Sequence, residues 1–262
     1  MHGCLGSILI NSKKIMTSSA ILSELAPTGV MRAAINIGNP ILASRDEASG
    51  ELRGVSVDLA RELAKRLDVP LELVCYTAAG KVVEAATLNE WDIAFVAVDP
   101  VRGADIIQTA PYVVIEGAYM VATGSPIMRN EEVDGEGVRI VVGKGSAYDL
   151  FLSRELKHAT IVRAPTSPTV VETMVELKLE VAAGVRQQLE NDAIGRTGLR
   201  MLDGRFMVIN QAMGTPKGRG AAGGEYLVRF VEDMKAQGFV AAALERHEIR
   251  GAGVAPPGPA KV

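Results

Sequence analysis

A β-α-β-α-β order begins at Met31, breaks off, and begins again after residue 137; no single motif constrains the chain as much. MRAAINI reads as a strand. In SVDLARELAKRL, Leu59, Leu63 and Leu67 recur at i, i+4 and i+8, one face of an amphipathic helix that Pro70 terminates. LELVCY is a second strand and KVVEAATLNE a second helix. WDIAFVAV is a continuous apolar run of the kind buried on both faces. Strands alternating with helices imply right-handed crossovers and a parallel sheet.

The pattern restarts after the Gly/Glu/Asp-rich break EEVDGEG at 131–137. VRIVVGKG, ATIVRA and LEVAAGV read as strands, separated by the helical stretches SAYDLFLSREL and SPTVVETMVELK. Ser167 is the expected N-cap of the second helix, with Pro168 at its first position. Two units of similar size predict two lobes rather than one sheet. RFMVINQAMGTP then reads as a strand and KGRGAAGG as a loop. Leu227, Phe230, Val231 and Met234 mark a helix at i, i+3, i+4 and i+7, and FVAAALERH a shorter one. Residues 1–27 read as a flexible leader and 251–262 as a disordered end.

Composition narrows the function classes. With 262 residues, 48% of them hydrophobic, the chain can bury a sizeable core. A net charge of −3 gives no footprint for nucleic acid. No apolar run approaches the roughly 18–20 residues a membrane-crossing helix needs, so membrane insertion is not expected. Cys4 and Cys75 make no disulfide framework, and His2, His158 and His247 are scattered without ligand spacing, so no metal is expected. No cofactor motif is readable: the phosphate-binding G-x-x-x-x-G-K-[ST] is absent. A monomer is expected. In the leader, Lys13 and Lys14 follow the apolar GCLGSILI, the reverse of a secretory signal, and Met16 offers an alternative start.

Two stretches could carry chemistry. In DPVRGADIIQTAPY, residues 99–112, Arg102 lies between Asp99 and Asp105. Alone it reads as a solvated ion pair or as a clamp, since a guanidinium can hold a carboxylate through two parallel hydrogen bonds. In GKGSAYD, residues 143–149, glycines run into Ser146, with Asp149 three residues on, the spacing of a capping box. Such a turn is either a well-capped helix start or a place where free N–H groups and the helix dipole meet an anion.

Taken in order, these features resemble the periplasmic solute-binding proteins of the amino-acid ABC-transporter type, bacterial solute-binding protein family 3. Arg102, Thr109, Pro111 and Tyr112 keep the spacing of that family's T-x-E-R-x5-F-S-x-P-Y-like segment. GELRGVSVDLA, from Gly50 to Ala60, is similar to its G-x-x-x-G-F-D-V-D-L-A stretch, and GVRIVVGKGSAYD to its second-lobe strand and turn. The resemblance runs from about Met31 to His247.

It implies a two-lobe α/β architecture, the type II periplasmic-binding-protein fold, with two crossing strands and a ligand cleft between the lobes. VVIEGAYMV and FMVINQAM would be the crossing strands. Lobe 1 would comprise residues 28–118 plus 212–250, and lobe 2 residues 119–211. The family role is non-catalytic binding of a small carboxylate-bearing solute, hinge closure around it, and an ABC permease as partner. Arg102 would hold the carboxylate from lobe 1; Ser146 and the N–H of Ala147 would meet it from lobe 2.

Three departures bear on the ligand. Gln187 stands where family members carry the aspartate that pairs the ligand ammonium, so either Asp99 or Glu116 supplies the missing charge or the ligand lacks an ammonium. Arg186 could add a second positive centre suited to a dicarboxylate. Asn39-Pro40-Ile41 replaces the usual aromatic, leaving Asn39 as a polar contact. The loop presenting Ala97 and Asp99 is shorter than in the family.

Two alternatives stay open on the same scaffold. One is an enzyme like the cyclohexadienyl dehydratases, with Glu116, Asp99 and Glu47 as candidate proton donors. The other is a cytoplasmic ligand-sensing module. Location stays open too: periplasmic if the family role holds, cytoplasmic on the missing export segment. Trp91 reads as core packing and Asp58 as support for the start of its helix.

Overall fold

The structure, a computed structural model, describes residues 19–258. The readings placed on 1–18 and 259–262, those of Cys4, the two leader lysines and Met16 included, lie outside the described residues.

The first half is built as its periodicity predicts. Helix α1 (Ser19–Leu25) leads to strand β1 (Met31–Asn36) and to a small hairpin of β2 (Ser44–Arg45) and β3 (Leu52–Arg53). Helix α2 (Val55–Leu67), strand β4 (Leu71–Tyr76), helix α3 (Ala79–Glu84) and strand β5 (Ile93–Ala97) follow. β1 lies between β4 and β5, parallel to both, with Met31 opposite Leu71 and Ala33 opposite Ile93. The leucine face of α2 is inside: Leu59, Leu63 and Leu67 are all buried. Each such side chain contributes about 1.5–3 kcal/mol. The helix ends where Asp68 turns left-handed at φ 58°. Trp91 is fully buried and donates its indole N–H to the Val82 carbonyl at 3.0 Å, a packing role as expected.

Strand β6 (Ile106–Ala122) is the long crossing element, 17 residues and so about 58 Å at ~3.4 Å per residue. The second half then holds β7 (Arg139–Gly143), α4 (Ala147–Glu155), β8 (Thr160–Ala164), α5 (Val170–Glu176), β9 (Val181–Val185), α6 (Arg186–Asp192) and β10 (Leu199–Met201). Here β8, β7 and β9 form a second parallel trio. Strand β11 (Met207–Pro216) returns antiparallel to both β6 and β5. Helices α7 (Ala222–Ala236) and α8 (Phe239–Arg246) pack back against α1 and α2, and β12 (Ala252–Val254) closes the described chain.

The two trios are thus joined through the antiparallel β11–β6 pair into one hydrogen-bonded path, β4-β1-β5-β11-β6-β9-β7-β8. Two lobes and a continuous ladder coexist because β6 is long enough to pair with β11 over its first part and with β9 from Gly117 to Val121.

Several local expectations are corrected. Residues 251–258 are ordered, not a disordered end: Ala252–Val254 pairs with Ile115–Val113 of β6, and the Gly258 N–H donates to Glu232. The leader reading is corrected from Ser19 on, since α1 is a helix whose Leu25 is buried and whose Glu24 accepts from the Gly223 N–H at 2.6 Å. The N-cap before α5 is Thr166, not Ser167; Thr166 and Thr169 form the capping box around a 3-10 turn. Asp58, besides opening α2, binds the Arg246 guanidinium at 2.6 Å and the His247 ring at 2.8 Å.

Candidate functional site

Strand β5 is buried at all five residues, and the chain leaves it at Ala97 into a tight turn. Asp99 makes that turn: its Oδ1 accepts from the Val101 N–H at 2.8 Å, the local bond for which aspartate is suited. Arg102 then opens a 3-10 turn, Arg102–Ala104, and folds its side chain back over the end of the strand. It is 2% exposed. Its Nη1 donates to the Ala97 carbonyl at 3.2 Å and its Nη2 to the Gly145 carbonyl at 3.0 Å, while its Nε has no hydrogen-bond partner. Burial pulls the guanidinium down to about 10, only partly offset by nearby Asp99, so it stays charged at neutral pH. Asp99 forms no ion pair with it. The Asp99 carboxylate instead binds Arg154 of α4 at 2.9 Å, from the other side of the cleft.

The facing wall comes from the turn between β7 and α4. Gly145 has φ +70°, a conformation only glycine adopts without strain, and its backbone lies against Gly80 of α3. Ser146 caps α4, accepting from the Asp149 N–H at 3.0 Å, while the Asp149 carboxylate accepts from the Gly145 N–H at 2.8 Å. Arg163 holds the other side of Asp149. The N–H groups of Ala147 and Tyr148, in the first turn, have no intrahelical acceptor. They are the positive end of the helix presented to the cleft.

Between these walls lies a cavity of about 50 Å³. Arg102, Ser146, Ala147, Asn39 and Ala97, all singled out from sequence, line it. Three others do not. Gln187 lies against Gly251 and the C-terminal segment; the neighbouring Gln188 lines the cavity instead. Asp99 is instead held in its ion pair with Arg154. Glu116 projects from β6 onto Arg205 at 2.9 Å and Arg186 at 3.5 Å. Arg186 is thereby occupied away from the cleft and is not its second positive centre.

Lys144, inside the same G-K-G-S turn, is that second cation among the lining residues. Glu47 is exposed in the β2–β3 hairpin. Rings absent from the Asn39 segment are supplied by Phe95 and by Tyr148, whose hydroxyl is pushed up by burial despite hydrogen bonds to Ser167 and Ser146.

Gln188 and Gln211 escaped sequence reasoning. Gln211 lies on β11 beside Ala97, at the bottom of the cleft. Gln188, 8% exposed, donates its Nε2 to Asp192 Oδ1 at 2.6 Å, and its Oε1 is buried without a partner. Asp192 is pushed up by burial, against the opposing effects of Gln188 and Arg196. Among the described residues that line the cavity there is no aspartate or glutamate. Nor is there a cluster of metal-ligating side chains among the described residues, or a helix long and apolar enough to cross a membrane.

Solved structures share this architecture. A solute receptor for L-cysteine of Neisseria gonorrhoeae superposes with a TM-score of 0.75 at 20% identity, over 89% of this chain and 95% of the receptor. The substrate-binding protein AbpA of an amino acid ABC transporter from Streptococcus pneumoniae, bound to L-arginine, gives 0.72 at 16% identity over 85% and 96%. An ancestral amino acid-binding protein described as a precursor of cyclohexadienyl dehydratase gives 0.72 at 19% identity over 86% and 98%. At these identities the likeness establishes the type II periplasmic-binding fold. No protein of curated function matches by sequence. The sequence profile of the bacterial extracellular solute-binding proteins, family 3, matches residues 31–247, and the chain belongs to that family.

Proposed function

We propose that this protein binds a small carboxylate-bearing solute between its lobes, without catalysis, as the substrate-binding component of an ABC transporter. One observation carries the reading: a buried guanidinium at the cleft whose Nε is unpartnered and whose other bonds go only to carbonyl oxygens. A buried cation without an anion is costly, and a ligand carboxylate removes that cost while the N–H groups of Ala147 and Tyr148 reach it from the other wall. The L-cysteine and L-arginine in the names of the structural neighbours share that carboxylate. We divide the chain into lobes at 28–118 plus 212–250 and 119–211, with β6 and β11 as the hinge.

The three candidate proton donors of a dehydratase are not in the cleft: Glu116 and Asp99 are in ion pairs elsewhere and Glu47 is exposed. A protein incubated with prephenate is expected to yield no phenylpyruvate.

Melting temperature followed against a panel of amino acids and other small carboxylates tests the binding reading. A ligand at about 100 times its Kd stabilises by ~2.7 kcal/mol. Arg102→Ala is expected to remain folded and lose the response. A folded wild-type protein indifferent to every carboxylate would overturn the proposal.

A further inference from the structure

We propose that residues 251–258 form a strap, fixed to lobe 1, that opposes closure by burying the Gln187 amide of lobe 2 without a partner when the lobes come together. The proposal rests on the lobe division and hinge given above and adds the part that sets how readily the hinge closes. The segment lies past His247, where the family's match to the chain ends.

One end of the strap is firmly anchored. The Lys235 side chain of α7 is 5% exposed; its ammonium donates to the Pro256 carbonyl at 2.9 Å and to the Pro111 carbonyl of β6 at 3.1 Å. It also pairs with Glu232 at 2.7 Å. The Gly258 N–H donates to Glu232 at 3.2 Å, and the Ala255 N–H to the Tyr112 carbonyl at 3.1 Å. A single buried ammonium thus ties α7, β6 and the strap together. Pro256 and Pro257 have φ fixed by their rings, so the segment gives up little conformational freedom on docking.

The other end reaches the hinge. On one edge of β6, residues 113–115 pair with β12 and residues 117–121 with β9, so a strand held by lobe 1 and a strand of lobe 2 meet end to end at Glu116. Gln187, in the first turn of α6, spans that junction. Its amide lies so close over Gly251 that a β-carbon there would collide with it, and its Oε1 is buried with no hydrogen-bond partner. The lobes are closed in this structure: Arg102 reaches the Gly145 carbonyl at 3.0 Å and Asp99 binds Arg154 at 2.9 Å. Rotation of lobe 2 about β6 and β11 carries Gln187 off a strap that stays with lobe 1, and water reaches the amide. A buried acceptor left unpaired in only one of two states shifts the balance toward the other. Closure around a solute has to leave this acceptor dry, so the strap raises the concentration needed to close the cleft and favours release.

Pulsed electron paramagnetic resonance on the ligand-free protein tests this. Spin labels go on Leu88→Cys in lobe 1 and Ile194→Cys in lobe 2, both exposed positions, in a chain whose own two cysteines are replaced by serine. The distance distribution between the labels gives the ratio of closed to open molecules. Gln187→Leu, which keeps the contact and removes the unpaired oxygen, is expected to raise that ratio about tenfold. Gln187→Glu, which puts a charge under the strap, is expected to lower it. A chain ending at Arg250 is expected to be raised like Gln187→Leu and to respond no further to either substitution at 187. A strap that only packs would lower the melting temperature when removed and leave the ratio alone.

Gly145→Ala, which sets a β-carbon 3.1 Å from the Gly80 Cα, is the control for lobe movement and is expected to lengthen the distance. If it does so while the Gln187 variants and the shortened chain match the parent, or if Leu and Glu at 187 move the ratio the same way, this inference is overturned and the hinge stands. A distance unmoved in every variant, Gly145→Ala included, removes both. No ligand enters the measurement, so the carboxylate reading is tested apart from it.

Discussion

The two ends of β5 hold opposite solutions to the burial of charge. At its start, fully buried Asp92 is clasped by two arginines: Arg32, with Nη2 at 2.8 Å and Nε at 3.1 Å, and Arg219. The backbone N–H of Arg32 adds a further bond at 2.8 Å. At its far end, five residues of strand later, Arg102 is buried as deeply and meets only carbonyl oxygens. The first cluster is complete without a ligand and fastens the strand to its neighbours. The second is incomplete, and it lies at the carboxyl end of a parallel strand, where open α/β sheets bind ligands. Burial alone therefore does not mark the site. What marks it is burial with a partner still missing.

Substitutions at the two ends should separate accordingly. Asp92→Asn leaves two arginines without their anion and should cost roughly 3–5 kcal/mol, read as a lower denaturation midpoint. Ligand binding by the fraction that stays folded should be unchanged. Arg102→Met removes an unpaired charge and fills similar volume, so stability should stay within about 1 kcal/mol or rise. The ligand-induced rise in melting temperature should disappear. A large loss of stability at Arg102, equal to that at Asp92, would break the contrast.

The interlobe pair of Asp99 and Arg154 should have a smaller effect. Arg154 is 41% exposed, so Asp99→Asn should weaken ligand affinity by only ~0.5–1 kcal/mol, measured by calorimetry, without reordering a ligand series. Smallest is the acid-side effect of Glu180, held below the usual carboxylate range chiefly by the Arg139 guanidinium. A depressed carboxyl stabilises the fold above its unfolded value and loses that contribution as pH falls through its folded one. Glu180→Gln should therefore flatten the stability profile slightly below about pH 4, with little change at neutral pH.

Sequence made the two parallel trios legible because strands buried on both faces and helices with a leucine stripe have distinct periods. Arg102, Ser146 and Ala147 were legible as members of spaced motifs whose backbone context is fixed by a strand end or a cap. The glutamine pair was not. Helix α6 starts at Arg186 directly from β9, with Val185 as an N-cap that makes no side-chain bond. Nothing in the residue types fixes which of two adjacent glutamines faces the cleft, and one residue turns the helix by about 100°. Strand β12 was illegible for another reason: GAGVAP has no period of its own, and its pairing is supplied by the free side of β6. Lys144 was in plain view inside a motif read only for its glycines and serine.

The approach of Gly145 to Gly80 sets a limit of another kind. A β-carbon on Gly145 would stand 3.1 Å from the Gly80 Cα, so the two walls meet backbone to backbone with no side chain between them. The spacing of the two walls is therefore set by main chain alone, independent of which rotamers the cleft adopts, and a β-carbon at position 145 would force it wider.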